Sequence, residues 1–185
     1  MRWNQLFDDL SARFERLAED DEDAELADRI RHEQGAVAMV QRIGGARGAR
    51  LRLRLVSGGA VSGELERVGP DWLLMREAGA TEVLVPLAAV TAVEGLTAVT
   101  GEPLGSVDVR YDFRMALRAV ARDRAPVSVL TGGDDGLTGT IDRVGADFVE
   151  LAAHAAWEQR RGPAVRSVLL VPLSAIRLVR AQPLG

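Results

Sequence analysis

The sequence predicts a mainly β chain with α-helices, in which N-terminal helices precede two tandem five-stranded small β-barrels, each preceded by a helix. Three observations predict this class. Apolar residues recur at helical steps up to Ile43, whereas from Ala49 they alternate with polar residues, which is the period of a strand. The segment GELERVGPDWLLM at 63–75 returns as GTIDRVGADFVEL at 139–151. Five short strands within about 45 residues suit a small, strongly bent barrel better than a sandwich.

The N-terminal part of the chain contains two sets of apolar residues at helical spacing, which predict a helical segment over residues 1–46. The acidic run AEDDEDAE at 18–25 separates the two stripes. The second stripe ends at GGARG, 44–48, where glycines suit a left-handed helix C-cap. The first stripe contains Trp3, Leu6, Phe7, Leu10, Phe14 and Leu17, and the second contains Leu26, Ile30, Val37, Val40 and Ile43.

The first predicted barrel covers residues 47–96. ARLRLRLVSGG alternates leucines and arginines and then turns at its glycines, and AVSGELERV returns as a longer strand. Gly63 lies inside that strand, where a glycine permits a sharp bend. WLLMRE, TEVLVPL and AAVTAVEGL supply three more strands, and a linker is predicted over 97–110.

The second predicted barrel, with its helix, covers residues 111–182. The helix is predicted over 111–124 and ends before Pro126. The copies align at an offset of 76 residues at the glycines and 86 at the prolines, where VPLAAV matches VPLSAI. Copy two therefore carries about ten extra residues, HAAWEQRRGP at 154–163, between its third and fourth strands.

These segments resemble the Sm-like (LSm) family, and VSVLTGGDDGLTGTIDRVGADFVEL in copy two is similar to the first Sm motif of the bacterial host-factor RNA-chaperone branch. The resemblance covers roughly 26–96 and 112–180. It implies small barrels whose strand-four and strand-five edges pair with neighbouring barrels. The family's RNA-reading residues are not retained. Eukaryotic-type Sm proteins have an Asp and an Asn where copy one has Gly69 and Leu73 and copy two has Gly145 and Val149. The chaperone branch has a Lys-His pair at the turn between strands four and five, where the two copies have Pro86-Leu87 and Pro172-Leu173.

Composition narrows the function classes. The 185 residues contain no cysteine and no lysine, all 23 basic residues being arginine. This excludes thiolate nucleophiles, sulfur-ligated zinc, Walker A lysines and Schiff-base lysines. No run approaches a membrane-spanning length, and acidic Asp8 and Asp9 disagree with a secretory leader. We therefore expect a cytoplasmic chain that is not an enzyme, binds no metal or cofactor and does not enter the membrane.

Arginines supply the candidate nucleic-acid-binding residues. Net charge is −4, but residues 1–25 hold 3 arginines and 9 carboxylates, whereas residues 26–54 hold 7 arginines and 2 carboxylates. One candidate set is a loop and an exposed strand face, with Arg47, Arg50, Arg52 and Arg54. The other is a helical column that could follow phosphates, with Arg110, Arg114, Arg118 and Arg122. The arginines of the first set could instead protect an exposed strand, or the acidic segment could neutralise them. The arginines of the second set could simply form the solvent-exposed face of a packed helix.

The sequence also suggests roles for several aromatic, aspartate and histidine residues. Trp72 and Phe148 are predicted in the core rather than stacked on bases, and Asp71 and Asp147 as turn-stabilising caps. His32 and His154 lack partners at catalytic or metal spacing. Trp157, in the insertion beside two arginines, is a candidate interface anchor.

The leading functional hypothesis is a non-enzymatic tandem Sm-like protein that binds RNA, or a nucleic-acid-handling complex, through arginine-lined surface. An alternative is a protein-interaction scaffold that docks a partner through the N-terminal helix. DNA-binding regulation is a third alternative, although no helix-turn-helix is found. Self-association through strand edges is expected, because a single barrel leaves edges unpaired. The candidate partner-binding residues are Trp3, Phe7, Leu10, Phe14 and Trp157.

Overall fold

A computed structural model describes residues 35–106, 108–132, 136–154 and 167–182. The chain forms two compact units, Met1–Ala38 and Met39–Gly185. In the first unit only residues 35–38 are described, and residues 35–36 are helical. The predicted helix of residues 3–17 lies outside the described residues.

Two α-helices occur in the described part of the second unit: α1 spans Met39–Gly44 and α2 spans Phe113–Asp123. The carboxylate of Asp112 caps α2 by accepting a 2.8 Å hydrogen bond from the Met115 N–H. Arg124 ends α2 in the left-handed conformation, at φ 54°. Among the described residues, no helix combines the length and apolar character that a membrane span requires.

The first repeat supplies five antiparallel strands in the order β5-β1-β2-β3-β4. Alternation of leucine and arginine makes β1 buried on one face and exposed on the other. Gly58, at φ 87°, provides the left-handed residue of the turn between β1 and β2. The strands are β1 Arg50–Leu55, β2 Ala60–Val68, β3 Trp72–Arg76, β4 Glu82–Pro86 and β5 Val90–Glu94.

The second repeat supplies five more strands in the matching order β10-β6-β7-β8-β9. In both repeats a 3₁₀ turn, Leu87–Ala89 or Leu173–Ala175, joins the fourth strand to the fifth. The repeats therefore share strand order as well as sequence pattern. The strands are β6 Val127–Leu130, β7 Leu137–Val144, β8 Phe148–Ala153, β9 Ser167–Pro172 and β10 Leu178–Ala181.

The two sets of strands join through antiparallel pairing of β4 with β10, with Leu84 opposite Val179 and Val83 opposite Arg180. Within the described residues the result is one ten-stranded antiparallel sheet that is not closed, in the order β5-β1-β2-β3-β4-β10-β6-β7-β8-β9. The prediction of two closed five-stranded barrels, each preceded by a helix, is therefore wrong. The second repeat does not close on itself because both edges of β10 are occupied: one edge pairs with β6 and the other pairs with β4 of the first repeat.

In the part of the chain that the structure describes, two apolar clusters form the core, and each includes one buried leucine from the other repeat. Leu84 of β4 belongs to the cluster built mainly by the second repeat and α2. Leu178 of β10 belongs to the cluster built mainly by the first repeat and α1. Trp72, predicted to lie in the core, is buried in the second-repeat cluster, which confirms that prediction, whereas Phe148 is only half-buried. This exchange of side chains ties the repeats together at the β4–β10 junction.

The matched glycines inside β2 and β7 allow close approach of a neighbouring strand. A Cβ on Gly63 would lie well inside van der Waals contact of the Arg76 carbonyl oxygen, and one on Gly139 would meet that of Ala152. A few residues later each strand shifts register, between Leu65 and Arg67 in β2 and at the matching place in β7. The glycine that recurs in the two repeats is therefore required for the packing of neighbouring strands.

Gly63→Ala should destabilise the protein by about 1–3 kcal/mol, because the added methyl group must displace the backbone of β3. Gly59→Ala is the matched control in the same hairpin, since a Cβ there meets only the Ser57 hydroxyl at 3.9 Å. Urea unfolding would measure both free energies. Equal stability of the two variants would show that the close approach at Gly63 is not tight.

Candidate nucleic-acid interface

The arginines of β1 form a row on the exposed face of the sheet. Arg50, Arg52 and Arg54 are exposed, and the leucines between them are buried. Arg47 is also exposed, and its Nε donates a 2.8 Å hydrogen bond to the carbonyl oxygen of Glu66. The structure therefore brings all four predicted arginines near one another along β1 and the turn that precedes it.

Glutamates from the neighbouring strands lie opposite this row. In the register of the sheet, Arg50 faces Glu64 of β2, and Arg52 faces Glu94 of β5. Arg54 forms an ion pair with Glu94 through Nε and Oε1 at 2.5 Å. Alternating charges at this spacing stabilise the exposed face but leave less uncompensated positive potential for a polyanion.

The same balance of charge holds in a cleft of about 540 Å³ that is lined by β2, β3, the start of β4 and the turn before β1. The side chains along the cleft include an ion pair between Arg76 and Glu66. Three arginines face three glutamates here, so the cleft has no excess of either sign. These charged residues are Arg47, Arg67, Arg76, Glu64, Glu66 and Glu82.

The second arginine set lies on α2. Phe113, Ala116 and Leu117 are buried, so the opposite side of the helix faces solvent. Arg118 and Arg122 on that side are exposed, and steps of four residues place successive arginines about 6 Å apart along the axis. Arg114, one turn earlier, is half-buried, and Arg110 is exposed in the 3₁₀ turn Asp108–Arg110 before the helix.

The α2 arginines differ from those of β1 in their partners. Arg114 has a carboxylate nearby, with Nη2 3.6 Å from Asp112 Oδ2. Arg118 instead contacts the sulfur of Met115 at 3.8 Å, and Arg122 Nε donates to the carbonyl oxygen of Arg118 at 3.4 Å. Neither Arg118 nor Arg122 forms an ion pair with a carboxylate of the described residues. Their guanidinium groups are therefore the charges best placed to receive phosphate.

Contacts between the repeats hold α2 in position. The Phe113 N–H donates to Asp71 Oδ1 at 2.7 Å, and Trp72 Nε1 donates to the Tyr111 carbonyl oxygen at 2.7 Å. The rings of Trp72 and Tyr111 pack edge to face at 6.0 Å between centroids. Asp71 therefore supports the start of α2, a long-range contact that its predicted role in stabilising its own turn did not include, and Trp72 is occupied in packing.

Several candidates bear no relation to this interface or lie outside the described residues. His154 is buried and shares a 2.8 Å hydrogen bond between its Nε2 and Thr140 Oγ1. Within the described residues, no group of three or more His, Cys, Asp or Glu could hold a metal ion. The predicted positions outside the described residues are Trp3, Phe7, Leu10, Phe14, His32 and Trp157.

The exposed arginines of β1 could be identified from the sequence, but the glutamates opposite them could not. Glu64 and Glu94 lie 14 and 42 residues after the arginines that they face, and strand pairing alone brings them together. The scarcity of acidic residues within α2, by contrast, is visible in the helix sequence FRMALRAVARD, where Asp123 is the single acid.

Comparison with protein-family models, with curated proteins and with solved structures gives no match to this chain.

Asp71→Asn should remove the pH dependence that the Asp71 carboxyl contributes to stability. Desolvation by its surroundings raises the pKa of Asp71, the Phe113 N–H opposes the rise, and the charge of Asp112 adds to it. A raised folded-state pKa means that the folded chain binds the proton more tightly. The contribution of this group to the free energy of unfolding is therefore lowest above that pKa and increases as the pH falls through it.

The Asn variant keeps an oxygen acceptor for the Phe113 N–H and should gain about 0.5 kcal/mol or less relative to wild type at pH 7, because the residue is exposed. This gain should vanish in acid. Unfolding free energies across pH 3–7, with Asp147→Asn as the matched control in the second repeat, measure the difference. A gain that grows as the pH falls would contradict the assigned direction.

Proposed function

We propose that this chain is a non-enzymatic protein that binds RNA, or a nucleic-acid-handling complex, through phosphate contacts on the exposed face of α2. The contact residues are Arg114, Arg118 and Arg122, extended by Arg110. The observation that carries the proposal is that Arg118 and Arg122 are exposed and form no ion pair with the carboxylates of the described residues. A guanidinium group without a carboxylate partner can bind phosphate through two parallel hydrogen bonds.

The β1 arginines are a secondary surface in this proposal. Glu64 and Glu94 already face them, so a phosphate would have to displace an ion pair at Arg54 and compete with a carboxylate at the others. A net charge of −4 also favours a confined contact over general attraction to polyanions. The resemblance of the repeated motif to Sm-like proteins supports RNA as the polyanion. The lack of cysteine supports a cytoplasmic location.

The alternative is a protein-interaction scaffold. The apolar stripe of Trp3, Phe7, Leu10 and Phe14 favours it, since such a stripe can dock into a groove of a partner. Failure of RNA binding in the experiment below would leave this as the function to test.

The double variant Arg118→Ala/Arg122→Ala should weaken binding to RNA by about tenfold or more at low salt, and should reduce the slope of log K against log salt by about 1–2. Fluorescence anisotropy with a labelled single-stranded RNA of mixed sequence, between about 50 and 200 mM salt, measures both quantities. Both side chains are exposed, so the fold should be unaffected.

Arg50→Ala/Arg52→Ala is the matched control, because it removes the same charge from the surface that already has glutamates opposite. It should change the affinity much less than the α2 variant. A larger effect of the strand variant would move the site to β1, and no binding by the wild type at low salt would disprove the proposed function.

A further inference from the structure

A cavity of about 430 Å³ lies between the first repeat and the linker that follows it. The turn before β1, the end of β2 and the start of β3 form one wall, and linker residues from Gly101 to Tyr111 form the other. The volume falls within the range of small-molecule pockets, roughly 300–1,000 Å³. The arginines of α2 do not line this cavity, so it is separate from the phosphate contacts proposed above.

Hydrogen bonds hold the linker at both ends of the cavity. At its start, the Gly101 N–H donates to the Gln41 carbonyl oxygen at 2.9 Å, and the Arg42 guanidinium donates to two further linker carbonyl oxygens. At its end, Trp72 Nε1 donates to the Tyr111 carbonyl oxygen at 2.7 Å. Because these contacts fix both walls in the free protein, a ligand need not order them, and binding loses less conformational entropy.

Four charged side chains line the cavity, two of each sign, and all four are exposed. Arg47 and Arg67 belong to the first repeat, whereas Glu102 and Asp108 belong to the linker. Arg47 Nε donates to a backbone carbonyl oxygen of β2, and the other three side chains form no hydrogen bond or ion pair within the described residues. Opposite charges that line one cavity without pairing are available to a ligand that carries both charges.

Apolar side chains complete the wall. Val68, Leu104 and Tyr111 line the cavity and are half-buried, so each presents part of its surface to it. Pockets of this size commonly combine such apolar surface with a few polar groups that orient the ligand. The wall therefore suits an aliphatic or aromatic group on a molecule whose other end is charged.

A nucleotide suits this wall less well than a zwitterion. Glu102 and Asp108 would repel its phosphate group. Trp72 is only 5 % exposed, so its ring presents little surface on which a base could stack. The charges and the apolar surface together favour a compact ligand with one carboxylate, one ammonium group and one apolar group.

We propose that this cavity binds a free amino acid with an apolar side chain. Arg47 and Arg67 receive its carboxylate, which a guanidinium group can bind through two parallel hydrogen bonds. Glu102 and Asp108 receive its ammonium group, and its side chain lies against the apolar wall. The site uses none of the α2 arginines and does not rest on the RNA contact.

Isothermal titration calorimetry of the full chain with L-leucine and L-phenylalanine tests the proposal. At least one of them should bind with a Kd of about 1 mM or below, as expected for a ligand of this size. Phenylpropanoate lacks the ammonium group and phenylethylamine lacks the carboxylate. Each, like the corresponding leucine analogue, should bind about tenfold more weakly than the amino acid, because one pair of charged side chains is left without a partner.

Variants place the ligand in the cavity. Arg67→Gln and Glu102→Gln should each weaken binding by about fivefold or more, because each removes a charge that the ligand contacts. Arg52→Gln is the matched control, since it removes an exposed positive charge of the same repeat outside the cavity, and it should bind like the wild type. The double variant Arg118→Ala/Arg122→Ala should also bind the amino acid normally, which separates this site from the RNA contact.

Four results would overturn the proposal. They are the absence of binding by both amino acids up to about 10 mM, equal affinity for an amino acid and its analogues, equal loss of binding in Arg67→Gln and Arg52→Gln, and tighter binding of adenosine monophosphate than of either amino acid. The last result would assign the cavity to a nucleotide. Circular dichroism confirms that each variant is folded.

Discussion

The antiparallel pairing of β4 with β10 is the interaction on which the rest of this structure depends. It joins two five-stranded sets into one sheet, and it places Leu84 in one core and Leu178 in the other. The contacts of Asp71 and Trp72 with the start of α2 also cross between repeats. Each repeat therefore completes the core of the other. The junction covers one edge strand of each repeat and leaves β5 and β9 as the two ends of the sheet.

The position of α2 follows from the same constraint and bears on the proposed function. Because its first turn is held by the first repeat and its apolar side by the second, the helix exposes a fixed column of arginines. The exposed face of β1 carries a similar number of arginines, but the neighbouring strands supply glutamates opposite them.

Local features of this fold were predictable because they depend on local patterns. Alternation in RLRLRL predicts a strand with arginines exposed, and repetition of Gly63 as Gly139 predicts two equivalent units. The partner of β10 was not predictable in this way, since an apolar strand pattern is the same whether its edge is paired or free. Leu84 and Leu170 each begin the sequence LVPL, yet Leu84 is buried and Leu170 is exposed. Likewise the charge balance around β1 depends on cross-strand register, which periodicity does not contain.

A nuclear Overhauser spectrum of the isotope-labelled protein at low concentration tests the β4–β10 junction most directly. The structure places Leu84 opposite Val179 and Val83 opposite Arg180 in an antiparallel pair. We expect cross-peaks between the backbone protons of these residues, as strong as those between paired strands within one repeat, such as Leu53 and Val61. Strong cross-peaks within each repeat, with none between residues 83–84 and 179–180, would show two independent repeats and would contradict the account.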